Sequence, residues 1–275
     1  MNALILAGGF GTRLRPLTYR TPKCLLTINN KTILEHQLNL LEPFDEIIMA
    51  TNYLEDQIKD YLNKNKIENV TINNEPQPLG TAGAILNAKE LLDDEFMIMN
   101  GDIILDCNIE KILRNRSNSM LIHNVSDVSR YGSVFFNKDG KITHFKEKEI
   151  VHVSGWINAG LYYLNSCVFD YIPGNKFVSL ERDIFPILVE DNGIKAIKND
   201  GYWYDVGTKD DFINANLSIS GNDCVIGHEC SIIDSNISQS VIMDNCVIEN
   251  CSVTNSIIGP KNVICNLNIE NKIVS

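Results

Sequence analysis

The sequence predicts an α/β protein: a mostly parallel, Rossmann-like sheet with helices on both faces, followed by a short left-handed parallel β-helix. Two observations carry this reading. Up to about residue 218, short apolar or β-prone runs alternate with segments that place apolar residues at helical spacing. From Ile219 onward, aliphatic residues recur about every six positions among Asn, Asp, Ser, Cys and Gly. The chain therefore divides into a large unit, residues 1–218, and a tail, residues 219–275.

The runs 3–7, 46–51, 70–74, 96–100 and 120–124 read as strands. Between them, 33–41, 54–62, 81–92 and 109–115 read as helices, because their apolar residues fall on one face. Such alternation places ligands at the carboxyl ends of strands, near a switch in strand order. From Tyr131 to Tyr204 the strand-like runs 133–137, 141–146 and 156–164 follow closely, which predicts an antiparallel insertion, with helices around 179–189 and 209–217. In the tail, Ile219, Val225, Ile232 or Ile233, Ile237, Val241 or Ile242, Val247, Val253, Ile258, Val263 and Ile269 mark about three turns of a hexapeptide β-helix. A short β-helix has open ends that favour a second subunit, so a homo-oligomer assembled through the tail is expected.

Composition excludes several classes. The net charge is −11, a poor match for a nucleic-acid binder. No run of eighteen apolar residues crosses a membrane, and the N-terminus is followed, not preceded, by basic residues, unlike a signal peptide. The eight cysteines follow no metal-binding spacing and read as free thiols in a reducing, cytoplasmic compartment. Charge is unevenly spread: residues 1–34 hold Arg13, Arg15, Arg20, Lys23 and Lys31 and no acid at all. A basic island in an acidic chain points to a small polyanionic ligand.

That island contains Leu6-Ala7-Gly8-Gly9-Phe10-Gly11-Thr12-Arg13, then Pro22-Lys23, directly after an apolar strand. Glycines let backbone N–H groups approach phosphate oxygens. Arg13 offers a planar fork and Lys23 a mobile point charge. The string is neither a Walker loop nor GxGxxG. His36, His123, His144, His152 and His228 are scattered, and no Ser/His/Asp or Cys/His nucleophile is evident.

With that string the sequence resembles the nucleotidyltransferases that make NDP-sugars, over residues 1 to about 218. The resemblance implies a catalytic domain there, with Arg13 and Lys23 catalytic and Leu6, Ala7, Gly8, Gly9, Gly11, Thr12 and Arg13 on the nucleotide. The family's usual proline after the lysine is Cys24. The segment Glu75-Pro76-Gln77-Pro78-Leu79-Gly80-Thr81 resembles the loop that lies against the base, which implies contacts from Gln77, Gly80 and Thr81, with Thr81 also a plausible helix N-cap. Asp102 ends an apolar strand in a motif that resembles the family's metal site. Its partner is Asp205 in Tyr202-Trp203-Tyr204-Asp205-Val206-Gly207-Thr208, which together imply Mg²⁺. The resemblance places Gly132, Glu147, Lys148, Asn158 and Trp203 on the sugar phosphate; Glu149 replaces the proline usual after the lysine. The implied reaction transfers a nucleoside monophosphate from an NTP to a sugar 1-phosphate. The details look most like mannose- or heptose-1-phosphate guanylyltransferases using GTP. Thymidylyl or uridylyl transfer to glucose 1-phosphate or a related sugar is the alternative. A non-catalytic regulatory paralogue, and an added acyl transfer in the tail using His228, are further alternatives.

Overall fold

A computed structural model describes residues 1–148, 152–174, 176–191 and 193–275. Strand Asn2–Leu6 is apolar on both sides, with Ala3, Leu4 and Ile5 fully buried, as a central parallel strand between two helical layers requires. It pairs in parallel with Ile47–Thr51 on one side and Glu95–Asn100 on the other, and Val70–Asn74 extends the first side. Period-two alternation sorts the side chains. Leu4, Ile48, Phe96 and Ile98 enter one core, while Ala3, Ile5, Ile47, Met49, Met97 and Met99 enter the core on the opposite face. The chain passes from one side of Asn2–Leu6 to the other after Val70–Asn74. That switch leaves a crevice beyond the carboxyl ends of Asn2–Leu6 and Glu95–Asn100.

Gly155–Asn165 adds antiparallel to Glu95–Asn100 and carries the hairpin Gly132–Phe136/Ile142–Glu147, completing a nine-stranded sheet with Ser119–Val125 and Lys195–Lys198. Sequence alternation counts 120–124 with the parallel strands, yet Ser119–Val125 pairs antiparallel with Gly155–Asn165. Alternation identifies strands but not neighbours, and the eleven-residue strand Gly155–Asn165 inserts between this strand and Glu95–Asn100. Helix Ile33–Leu40 begins at Thr32, whose hydroxyl accepts from Glu35 N while the Glu35 carboxylate accepts from Thr32 N. Thr208 and Asp211 form the same reciprocal cap for helix Lys209–Ser220, and Gly221 ends it at φ 71.

The tail is a left-handed parallel β-helix of three in-register sheets. Val225 pairs with Val241, Ile232 with Ile248 and Ile237 with Val253, so each coil takes sixteen residues. The inward-facing core runs Ile237, Ile242, Ile248, Val253, Ile258, Ile264, Ile269 and Val274, in steps of five or six. The uniform hexapeptide spacing is thereby corrected: Val247 and Val263 face outward, Val263 being 72% exposed, and their neighbours Ile248 and Ile264 fill the interior. The reason lies at the corners. Glu229, Asp234, Gln239, Asn245, Asn250, Asn255, Lys261, Asn266 and Asn271 all take left-handed φ, and five of these nine are Asn, which tolerates that region best after glycine. Cysteines occupy the position after several corners, where Cys230, Cys246 and Cys251 donate to the next coil's carbonyls as Ser235 and Ser240 do.

Val225, Val241 and Ile257 point away from the β-helix interior. They join Leu14, Leu17, Leu26, Ile28, Val206 and Phe212 in one core. The tail is thus packed beneath the loop that follows the first strand.

Candidate active site

Two cavities of about 430 Å³ each open at the crevice and share the residues Arg13, Gly80, Thr81, Asn100, Asp102 and Phe177. The first is lined by Leu6, Ala7, Gly8, Gly9, Gly11, Thr12, Arg13 and Lys23, which the sequence assigns to the nucleotide. Gly11 stands at φ 58, a conformation that costs other residues, and it turns the chain into the short helical turn Thr12–Leu14. Cys24 lines the same cavity. Burial pushes its thiol up to about 12, so it packs rather than reacts.

Lys23 Nζ lies 2.8 Å from Asp102 Oδ2. Burial alone would raise the Asp102 pKa, but Lys23 and then Arg13 outweigh it and hold the carboxyl below its usual range. Strand Trp203–Asp205 pairs antiparallel with Ile103–Leu105, placing Asp205 opposite Ile103, and Val206 N donates to Asp102 O at 2.9 Å. The two aspartates are therefore brought to one spot from separate segments. Burial first, and then repulsion from Asp102, raises the Asp205 pKa to about 6. A pair of neighbouring carboxylates, one of them pushed toward its neutral form by burial and then by the other, suits a divalent cation that completes its shell with phosphate and water.

The second cavity collects Gly132, Glu147, Lys148, Asn158 and Trp203, with Asp205. These residues come from four segments. Asn158 is oriented by donating to Tyr162 Oη at 2.8 Å and accepting from Gly160 N at 2.9 Å. Trp203 donates from Nε1 to Ala159 O at 2.8 Å and stacks on His123, which fixes its ring. Lys148 takes a left-handed φ of 49, and Glu149, the position of the replaced proline, lies outside the described residues.

Three assignments differ from the sequence reading or were absent from it. Gln77 is exposed and lines neither cavity, although Pro78 beside it lines the nucleotide cavity; Glu75 is the residue of that loop buried there. Thr81 is not an N-cap: the helix begins one residue earlier, after Leu79, and Thr81 Oγ1 instead donates to Glu181 at 2.7 Å and accepts from Leu180 N. Arg130, Glu181 and Arg182 line the sugar-side cavity without any motif to announce them. Arg130 bonds both oxygens of Asp211, at 2.9 and 2.5 Å, and so ties the Tyr131-Gly132 turn to the capped start of Lys209–Ser220.

A glycine loop with paired cations, two converging aspartates and an adjoining polar cavity, all at the switch point of an α/β sheet, define a site built for phosphorylated ligands. The family model described as "Nucleotidyl transferase" matches residues 2–221, and the chain belongs to that family. Among relatives, the mannose-1-phosphate guanylyltransferase catalytic subunit beta of Xenopus tropicalis is 36% identical over 227 residues, covering 78% of this chain and 63% of that protein. The Drosophila melanogaster protein of the same name is 36% identical over 226 residues, covering 77% of this chain and 61% of its own. The chain thus spans less than two thirds of the length of these relatives. The crystal structure of HddC from Yersinia pseudotuberculosis matches with a TM-score of 0.70 at 31% identity, covering 79% of this chain and 99% of that one. A second HddC structure, complexed with GMP-PN, matches with a TM-score of 0.69. A Bacillus anthracis structure titled a putative glucose-1-phosphate thymidylyltransferase shares the fold, at 23% identity and a TM-score of 0.71.

Proposed function

We propose that the chain is a sugar-1-phosphate nucleotidylyltransferase that uses GTP and mannose 1-phosphate or a heptose 1-phosphate. The observation that carries this reading is the pair of cavities meeting at Arg13 and Asp102, one lined by the glycine loop and the other by Glu147, Lys148 and Asn158. A sugar-phosphate oxygen attacks the α-phosphorus of the NTP; the new P–O bond forms as the bond to the β-phosphate oxygen breaks, and pyrophosphate leaves in line. The attacking phosphate is ionised at neutral pH, so no general base is required. Arg13 and Lys23 hold the triphosphate, Lys148 the sugar phosphate, and the protein's work is alignment and charge neutralisation. Mg²⁺ held by Asp102 and Asp205 would offset the repulsion between the two anions.

Guanine and mannose are favoured by the relatives' names, and guanine also by the HddC complex with GMP-PN. Residues 1–218 act as the catalytic domain, and residues 219–275 as the tail that assembles subunits. Exposed Ile226, Ile233, Val263 and Leu267 on the tail support the second role. Eight free thiols support a reducing, cytoplasmic setting, and no helix is long and apolar enough to cross a membrane among the described residues. The acidic charge speaks against nucleic acid as a partner.

A pyrophosphate-release screen of GTP, ATP, UTP and dTTP against mannose, heptose and glucose 1-phosphates tests the reading. Release with GTP and mannose or heptose 1-phosphate is expected. Release only with UTP or dTTP replaces the nucleotide; no release with any pair, alongside tight NDP-sugar binding, makes the chain a regulatory paralogue.

A further inference from the structure

We infer that Phe177 couples the two substrates, so that each binds more tightly once the other is in place. This rests on the reading that the cleft takes an NTP and a sugar 1-phosphate. Among the described residues, six line both cavities: Arg13, Gly80, Thr81, Asn100, Asp102 and Phe177. Arg13 and Asp102 carry charge, Thr81 and Asn100 are polar, and Gly80 has no side chain. Phe177 is the one large apolar group at that boundary, and an apolar ring does nothing for a phosphate.

Its surroundings set it apart. The ring is 67% exposed, more than any other aromatic side chain among the described residues. It belongs to none of the apolar clusters that fill the interior. The chain beside it, by contrast, is fixed. Val178 is buried, its N–H donates to Leu79 O at 2.9 Å, and its carbonyl accepts from Ala82 N at 3.0 Å and Gly83 N at 3.3 Å. Leu180 N donates to Thr81 Oγ1 at 2.7 Å. Gly80, at φ 76, permits this approach: a Cβ there would stand 2.5 Å from Val178 O and 3.2 Å from Phe177 Cε1. An anchored backbone thus presents an uncovered ring at the boundary between the cavities.

The reaction requires the α-phosphate and the sugar phosphate to meet. That puts the ribose on one side of the boundary and the acceptor sugar on the other, and both offer C–H faces to an aromatic ring. A solvated side chain samples several rotamers, and fixing it costs conformational entropy. The first ligand to touch the ring bears that cost. The second meets a ring already placed and partly covered, and it completes the removal of the ring from water. By linkage the effect is the same in both directions.

Equilibrium titration tests this. The probes are mannose 1-phosphate and a GTP analogue with a methylene group between the α- and β-phosphorus atoms, which cannot release pyrophosphate, at one fixed Mg²⁺ concentration. In the unaltered protein each probe is expected to lower the Kd of the other by the same factor. Phe177→Ala should cut that factor about 2- to 10-fold, the value of immobilising one side chain, and Phe177→Trp should keep it. A merely structural role would weaken each probe alone and leave the factor where it was. A factor that Phe177→Ala leaves unchanged therefore overturns the inference, and so, without any variant, does a factor of one in the unaltered protein. Weaker binding of a single probe at an unchanged factor assigns the ring to that substrate and also overturns it. If mannose 1-phosphate does not bind, the sugar reading is at fault, and heptose 1-phosphate takes its place in the same titration. A protein that shows the coupling but turns over no NTP loses the catalytic reading and keeps this one.

Discussion

The two halves of the cleft are built on different plans. The nucleotide half rests on two contiguous stretches, residues 6–13 and 78–81, which include Gly8, Gly9, Gly11 and Gly80. The sugar half is gathered from scattered segments around 131, 147, 158, 181 and 203. Backbone N–H groups aimed at phosphate are sequence-tolerant but need glycine, so they leave a compact written signature. Side chains converging from distant segments leave only isolated residues, whose meaning depends on how the sheet folds. The charges are mixed in both halves: Arg13 and Lys23 stand with Glu75 and Asp102 in the nucleotide cavity, and Lys148 and Arg182 are interleaved with Glu147 and Glu181 in the other.

Experiments that separate the halves follow in order of expected effect. Chelating divalent cations removes the counter-charge both substrates share, and turnover in a pyrophosphate assay is expected to vanish; full activity in chelator would exclude metal at Asp102 and Asp205. Lys23→Ala and Arg13→Ala act on the triphosphate side, where losing one charge contact costs about 3 kcal/mol, or roughly 10²-fold in kcat. Circular dichroism should stay unchanged, since both side chains aim at a ligand, and a near-normal rate removes the residue from the catalytic set. Lys148→Ala touches the sugar side alone. It is expected to raise KM for the sugar phosphate about tenfold with little change in KM for the NTP; an equal rise in both would erase the distinction between the halves.

The smallest effect belongs to the support beneath the sugar half. Burial raises the Asp211 pKa, but hydrogen bonds from Arg130 and Thr208 outweigh it and hold the carboxyl below its usual range. Unfolded, the group titrates near about 4. The pairing therefore adds stability above about pH 4, and that stability is lost as pH falls through the lower folded value. Arg130 is partly exposed, so the contribution is about 1 kcal/mol or less. Asp211→Asn should flatten that stretch of an acid-unfolding curve, and an unaltered curve would show the pair to be neutral.

The difference between the halves also decides what could be read before folding. The glycine string, Asp102 and the Asp205 segment were legible because each joins a strand end to a fixed chemistry. Glu75 was not, although it stands two residues before Gln77: only the fold shows that Gln77 is exposed and that Glu75 lies against Gly8. Arg130 and Arg182 had no local pattern at all. In the tail the aliphatic rhythm revealed a β-helix but misplaced Val225, Val247 and Val263. The sharper signal was the polar one, since Asn245, Asn250, Asn255, Asn266 and Asn271 sit at corners five or more residues apart and fix where each side turns.

Leu14 and Leu17, on the underside of the triphosphate loop, share a core with Val241, Met243 and Ile257, and a Cβ at Gly259 would meet Leu17 Cδ2 at 2.9 Å. Ligand occupancy and coil integrity are then linked functions of one another. Whatever orders the loop from above must slow the opening of the coils below it, and by the same reciprocity unwinding those coils must loosen the grip on the ligand. Hydrogen exchange makes this visible: added NTP is expected to protect backbone amides between residues 241 and 259, far from any phosphate contact, as well as those of the loop. Cutting the chain after Ser218 would strip the cover from Leu14 and Leu17. The cut protein should bind nucleotide more weakly even at dilutions where any oligomer has already come apart, which would make the tail a keel for the unit it underlies.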